Sequence, residues 1–305
     1  MTNCLRWIQR ALGLIAALCC FCAATASAGS PPAQRLPSAL LIFPLVDAGG
    51  DRDTRIELVN LSANPLLVQC FYVEGESCNE IGFFVFLTPR QPLAWLASAG
   101  LSDPLTGSAS PPFFGTGEMK CAVVPERPEI EFHNALQGRA TVFRSDGRTV
   151  SYGAAGFRRL TDGEFSGVVA LNGTTYAQCP EKLHFDVLTD QPTASSEMIL
   201  LPCSQDLLLQ IPTSITVQFQ VINEFEQVFS ASTAVKCFAR RTLGDITDTL
   251  TRNILGTDTA HVVVRGSNGP LVGLVIDTVT FAGITSTAGN EPSFQGGRSA
   301  TVIFP

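Results

Sequence analysis

Residues 215–238 read ITVQFQVINEFEQVFSASTAVKCF, and their alternation decides the fold class. Ile215, Val217, Phe219 and Val221 alternate with Thr216, Gln218 and Gln220. In an extended chain successive side chains point to opposite faces, so this pattern predicts a strand with one buried and one wetted face. Asn223, Glu224, Glu226 and Gln227 interrupt it as a polar connection. Ala231, Thr233, Val235 and Cys237 then fall on one side of a second strand, with Ser232, Ala234 and Lys236 on the other. The stretch predicts an antiparallel strand pair joined by a short loop.

Residues 55–73, RIELVNLSANPLLVQCFYV, carry a counterpart: a strand ending in a hydrophobe plus Asn, a polar turn, and a second strand with a cysteine. MILLP at 198–202 likewise echoes LLIFP at 40–44, and Cys237 matches Cys70. The offset between matched positions drifts from 158 to 167. A duplication with loop insertions produces such a drift. Residues 39–46 read as a strand that Pro44 restricts to an edge or a bulge. Further strands are expected over 82–88, 118–124, 165–171 and 183–188. Hairpins are expected around Ser145-Asp146-Gly147 and Ser267-Asn268-Gly269. Only 245–255 has helical spacing. The expected fold is all-β: two tandem, related immunoglobulin-like β-sandwich domains over 38–190 and 197–305, with 189–196 as linker. A membrane barrel wants even strands and an aromatic girdle. Irregular strands and only two tryptophans argue against one.

The N-terminus reads as an export signal. Arg6 and Arg10 precede an apolar run over 11–24, and Ala26-Ser27-Ala28 supplies a cleavage site after Ala28. A run of about 14 residues is short of the roughly 20 that span a bilayer. This assigns 1–28 to a signal peptide and 29–37 to a flexible mature N-terminus, with no transmembrane span in the mature chain. Two arginines and no acid leave with the signal, so 18 basic residues face 27 acidic ones, a net of −9. That balance disfavours nucleic acid and anionic lipid as partners.

Six cysteines remain in the mature part: Cys70, Cys78, Cys121, Cys179, Cys203 and Cys237. An even number in an exported chain favours disulfides. Cys70 and Cys121 both lie mid-strand, which favours a bridge between the sheets of the first domain; of the fifteen connectivities, Cys203–Cys237 inside the second domain and Cys78–Cys179 complete one consistent set.

The runs FPLVDAGGDRDTRIELVNLSANP (43–65), LTPRQPLAWLASAG (87–100), GTGEMKCAVV (115–124) and VINEFEQVFSASTAVKCF (221–238) resemble a group of exported bacterial proteins. The first run is also similar to secreted sandwich repeats with a glycine-rich turn before an LVN strand. The resemblance implies exported, β-rich architecture and carries no catalytic residue with it.

Candidate chemistry is sparse. His133, His184 and His261 are scattered in sequence and sit in no metalloprotease motif. Glu129, Glu131 and His133 in EIEFH offer a carboxylate–imidazole group for base work and are the alternative catalytic site. Asp47, Asp51 and Asp53 form an oxygen-rich turn that suits calcium, yet Leu58 stands where an EF-hand needs its twelfth, acidic ligand. Trp95, Phe113 and Phe114 border a long Ser/Pro/Gly-rich loop over 97–115 and are the candidate ligand anchors. The expected function is an exported, non-catalytic surface, structural or binding protein whose partner is a protein or glycan at the cell surface. The alternatives are a secreted hydrolase or carbohydrate-active protein, and a strand-exchange subunit donating residues 300–304.

Overall fold

A computed structural model of the chain describes residues 36–103, 106–124, 134–161 and 165–305. Residues 1–28, expected as a signal peptide, and the Glu129, Glu131 and His133 group lie outside the described residues. The first half runs β1 (Leu40–Ala48), β2 (Arg52–Asn60), β3 (Leu66–Glu74), β4 (Glu80–Leu87), β5 (Pro92–Leu96), β6 (Leu101–Ser102), β7 (Ala109–Ser110), β8 (Gly115–Val124), β9 (Leu136–Arg144), β10 (Thr149–Gly153) and β11 (Ala155–Phe157). The second runs β12 (Val168–Leu171), β13 (Cys179–Leu188), β14 (Ala194–Pro202), β15 (Gln205–Asp206), β16 (Ser214–Asn223), β17 (Val228–Lys236), β18 (Ala239–Arg241), β19 (Thr259–Gly266), β20 (Leu271–Phe281), β21 (Ile284–Asn290), β22 (Ser293–Arg298) and β23 (Ala300–Ile303). Two single-turn helices, Leu243–Ile246 and Arg252–Leu255, are the only α-helices among the described residues. The fold is all-β with several sheets.

The first half makes an outer sheet, β10-β9-β2-β5, and an inner seven-stranded sheet, β11-β1-β8-β3-β4-β7-β6. The second makes an inner sheet, β18-β14-β20-β21, and an outer sheet, β17-β16-β19-β13-β22. A small sheet, β12-β23-β15, closes the side. The inner sheet of the second half is a wall shared by two cores. On β14, Met198 and Leu200 enter the second core while Ile199 and Leu201 enter the first. On β20, Leu271 and Val275 enter the second while Val272, Leu274 and Ile276 enter the first. That is why MILL and LVGLVI are continuous apolar runs rather than alternating ones: both faces of these strands are dry.

All nine residues of β1 are buried. It touches β2 and β9 of the outer sheet and also β14 and β20. Its pairing with β8 shifts register between Phe43 and Val46, so Pro44 sits in a bulge. The Tyr152 hydroxyl fills the gap: it accepts from the Leu45 N–H at 3.2 Å and donates to the Leu45 carbonyl.

Residues 215–238 form the expected pair, with β16 and β17 antiparallel in one sheet. Ile215, Val217, Phe219 and Val221 are buried. The counterpart at 55–73 behaves differently, because β2 and β3 lie in different sheets. Ser267-Asn268-Gly269 is likewise no hairpin: β19 and β20 belong to facing sheets, and the turn carries the chain across. Strand β13, expected in the first domain, pairs with β19 and β22 of the second half. Of residues 189–196, expected as the linker, 189–193 connect β13 in one sheet to β14 in another and 194–196 begin β14. The strand over 300–304 is not a free donor. It is held between β12 and β15 inside its own chain, and Phe304 is buried with its ring 5.9 Å from that of Phe71.

Among the disulfides, Cys70 pairs with Cys121. The bridge lies within one sheet and not between sheets. The two residues are direct partners on β3 and β8, with Cα atoms 4.1 Å apart. The other two expected pairs are exchanged: Cys78 joins Cys237, and Cys179 joins Cys203. Cys78 sits in the β3–β4 turn against the end of β17, so this bridge clamps the halves together across 159 residues. Only such proximity in space, with Cα atoms 6.0 Å apart, permits the bond. Cys203 follows β14 and meets the start of β13 instead.

Candidate functional site

The aspartate-rich turn disperses its carboxylates. Asp47 is buried and accepts from Arg52 at 2.8 Å, Arg240 at 3.0 Å and Thr116 at 2.9 Å. Asp51 faces Arg144 at 2.9 Å, and Asp53 accepts from the backbone of Thr54 and Ser98. Arginines and N–H donors hold the oxygens that calcium would need, and the structure does not bring the three together. No cluster of three or more metal-ligating side chains occurs among the described residues.

The aromatic anchors are mostly core. Trp95 is 5% exposed and donates to the Tyr72 hydroxyl at 2.8 Å. Phe113 is 2% exposed and stacks on the Tyr72 ring at 4.9 Å between centroids. Burying a ring removes far more apolar surface from water than leaving it on a loop. Phe114 alone is exposed, at 66%. The loop itself contributes β6 and β7 to the edge of the inner sheet.

Sequence reasoning passed over a buried polar group where the halves meet. Glu118 and Lys120 project from β8 on the face opposite Cys121, both fully buried, with Lys120 Nζ 2.5 Å from Glu118 Oε1. Lys120 also donates to Gln205 Oε1 of β15 at 2.6 Å, and Gln205 donates to Glu80 at 2.7 Å. Burial pushes the Glu118 carboxyl up to about 7 against the pull of Lys120, and burial likewise lowers the Lys120 ammonium. Glu118 Oε2 has no hydrogen-bond partner among the described residues. The GEMKC spacing puts both charges on one strand face, a legible signal, although nothing in it announces burial.

Two clefts open on the outside. The larger, about 810 Å³, lies where the outer first sheet meets β21. Glu57, Gln137, Arg139 and Ser151 line one side, and Gly289, Asn290 and Glu291 the other. Arg139 holds Glu57 at 2.7 Å, and Glu291 accepts the Gly153 N–H at 3.0 Å. The second, about 600 Å³, is a groove over the outer second sheet, lined by Lys182, Gln218, Gln220, Ser230, Ser232 and Arg265. The alternation that buries Phe219 puts Gln218 and Gln220 on this wet face. Beside the groove, His184 and His261 stand 3.2 Å apart although 77 residues separate them in sequence. Antiparallel pairing of β13 with β19 brings them together, which no local spacing could reveal.

No helix among the described residues is long and apolar enough to cross a membrane. The chain matches no protein-family model and no curated protein sequence.

Proposed function

We propose that this is an exported, disulfide-stapled protein of two related β-sandwiches that recognises a glycan at the cell surface without transforming it. The basic head, short apolar run and small-residue cleavage site support export. Three disulfides suit an oxidising compartment.

The observation that carries the reading is the lining of the 810 Å³ cleft. Glu57, Gln137, Arg139, Asn290 and Glu291 are planar polar side chains gathered from both halves around an open space. Such groups form paired hydrogen bonds with neighbouring hydroxyls, and fixed polar groups of this kind set ligand orientation. The hydrolase reading has one supporting observation, since Glu57 and Glu291 share the cleft and paired carboxylates cleave glycosidic bonds. Against it, Arg55 and Arg139 already engage the two Glu57 oxygens at 3.3 Å and 2.7 Å.

The test is a glycan array probed with the oxidised protein, followed by titration of any bound sugar against Gln137→Ala and Asn290→Ala. Both variants are expected to lose about tenfold in affinity, on the order of 1–1.5 kcal/mol for one hydrogen-bonding side chain. Binding that ignores both substitutions, or an array with no bound sugar, would refute the reading. Release of new reducing ends would transfer it to the hydrolase.

A further inference from the structure

The exposed face of the outer second sheet carries a second, chemically distinct group. On β13 and β19, Asp186 is the direct partner of His261, and His184 lies diagonally across from it. His184 Nδ1 is 3.2 Å from His261 Nε2. The far nitrogen of each ring is also engaged: His261 Nδ1 is 2.8 Å from Asp186 Oδ1, and His184 Nε2 is 3.2 Å from Gln295 Oε1 on β22.

The proton inventory of this chain decides its chemistry. An ionised carboxylate only accepts, so Asp186 holds a proton on His261 Nδ1 and leaves Nε2 with a lone pair. With its carbonyl oxygen placed towards the ring, Gln295 does the same to His184 and leaves Nδ1 with a lone pair, whereas the amide turned over would let Nδ1 donate to His261. Two lone pairs then face each other, an arrangement completed by an electrophile between them. Two imidazole nitrogens bound to one zinc ion at roughly 2.0–2.1 Å and near-tetrahedral angle stand about 3.3 Å apart. The observed 3.2 Å matches that bite. Metal-bound imidazoles also pass their remaining N–H to a carboxylate or carbonyl, and both rings already do so.

We propose that His184 and His261 bind one divalent transition-metal ion of the zinc class, with Asp186 and Gln295 as positioning residues. Two protein ligands leave the remaining coordination positions to water or to a donor atom of a bound partner. Lys182 and Arg265 border the pair along the same two strands, and Glu181 neutralises Arg265 at 2.8 Å. Soft and borderline ions prefer imidazole, whereas magnesium and calcium prefer oxygen, so the site discriminates between these classes. The site is independent of the glycan cleft, which lies on the other half's outer sheet and β21.

The test is calorimetric titration of the oxidised full chain with Zn²⁺ alone, repeated in excess Mg²⁺. One ion per chain is expected, undiminished by Mg²⁺. His184→Ala and His261→Ala should each weaken binding by at least tenfold, and Asp186→Asn by about tenfold, the usual loss when an outer partner is removed. These side chains lie on a wetted face, and circular dichroism verifies that each variant is folded. Gln295→Glu separates the proposal from a simple proton-sharing pair, because a carboxylate there cannot turn over to donate. The proposal expects Gln295→Glu to bind Zn²⁺ as tightly as the parent or tighter. Absence of a one-to-one Zn²⁺ complex, unchanged affinity in either histidine variant, or loss of binding in Gln295→Glu would each overturn it.

Discussion

The two halves use the same sequence signature to opposite ends. In each, a strand closes on a buried asparagine, Asn60 or Asn223, whose Oδ1 accepts the N–H two residues on, at 2.9 Å from Ser62 and 3.0 Å from Phe225. After Asn223 the chain folds back as β17 beside β16. After Asn60 it crosses to the facing sheet as β3. The cause lies in the strand that follows. LLVQCFYVE offers apolar residues on both faces, and it is central between β8 and β4 with its whole run from Val68 to Val73 buried. VFSASTAVK alternates, exposing Ser230 and Ser232, and it occupies an edge. A turn motif states that the chain turns. The burial capacity of the next strand decides which sheet receives it.

The comparison breaks first where the halves touch. Lys120 of the first half reaches Gln205 of the second through a dry interface. Lys120→Met should leave Glu118 as an uncompensated buried acid and cost about 3–5 kcal/mol in urea unfolding. Adding Glu118→Leu should restore most of that loss, because replacing both members of a buried pair by apolar groups is close to neutral. Acid titration of the parent gives a sharper readout. The Glu118 carboxyl binds its proton more tightly in the fold, at about 7, than in the unfolded chain at about 4.5. Its contribution to the free energy of unfolding therefore falls as pH rises from about 4.5 to about 7 and is flat above. Glu118→Gln should abolish that slope. A parent and variant with parallel pH profiles would show the carboxyl to be ordinary.

The second break is covalent. Cys78–Cys237 is the disulfide that ties one half to the other, whereas Cys70–Cys121 and Cys179–Cys203 each bridge elements within a half. Replacing both Cys78 and Cys237 by Ala should cost about 2–4 kcal/mol, the usual worth of closing a long loop. If the clamp couples the halves, scanning calorimetry of this variant should resolve two transitions in place of one. A single unbroken transition would show that the shared wall of β14 and β20 suffices.

Local patterns in the sequence carried the strands, the all-β class and the Pro44 bulge, because alternation and proline chemistry are properties of a few adjacent residues. What could not be read was set by distant partners. The faces of β14 and β20 look alike in sequence, and only their neighbours make them a shared wall. The disulfide exchange has the same origin, since Cys78 and Cys237 meet through the docking of halves that no spacing records. The histidine pair depends on the register of β13 against β19, and Gln295 joins from a third strand. Trp95 and Phe113, expected as loop anchors, are core because Tyr72 of a distant strand packs against both.

The smallest effect lies in the asparagine turn that both halves share. Asn60 donates to the carbonyls of Asn64 at 2.7 Å and Thr88 at 3.0 Å, tying the β2–β3 crossing to the end of β4. Asn223 donates to the Leu255 carbonyl at 2.7 Å and to Gln227 at 2.9 Å, tying its hairpin to a helix end. Each amide thus closes its own turn, but only Asn223 secures a buried carbonyl, since the Asn64 and Thr88 carbonyls also accept from the Ser62 hydroxyl and the Gln91 N–H. Substituting either by Ala should cost about 1–3 kcal/mol through the orphaned groups. The double variant should be additive, as expected of sites without shared partners. Asp at either position keeps the acceptor and loses the donor. Asn223→Asp should be the costlier of the two aspartate variants, since it strands the buried Leu255 carbonyl, whereas the carbonyls that Asn60 reaches keep the Ser62 hydroxyl and the Gln91 N–H as donors. Equal costs for the aspartate pair would place the stabilisation in the turn and not in the remote carbonyls.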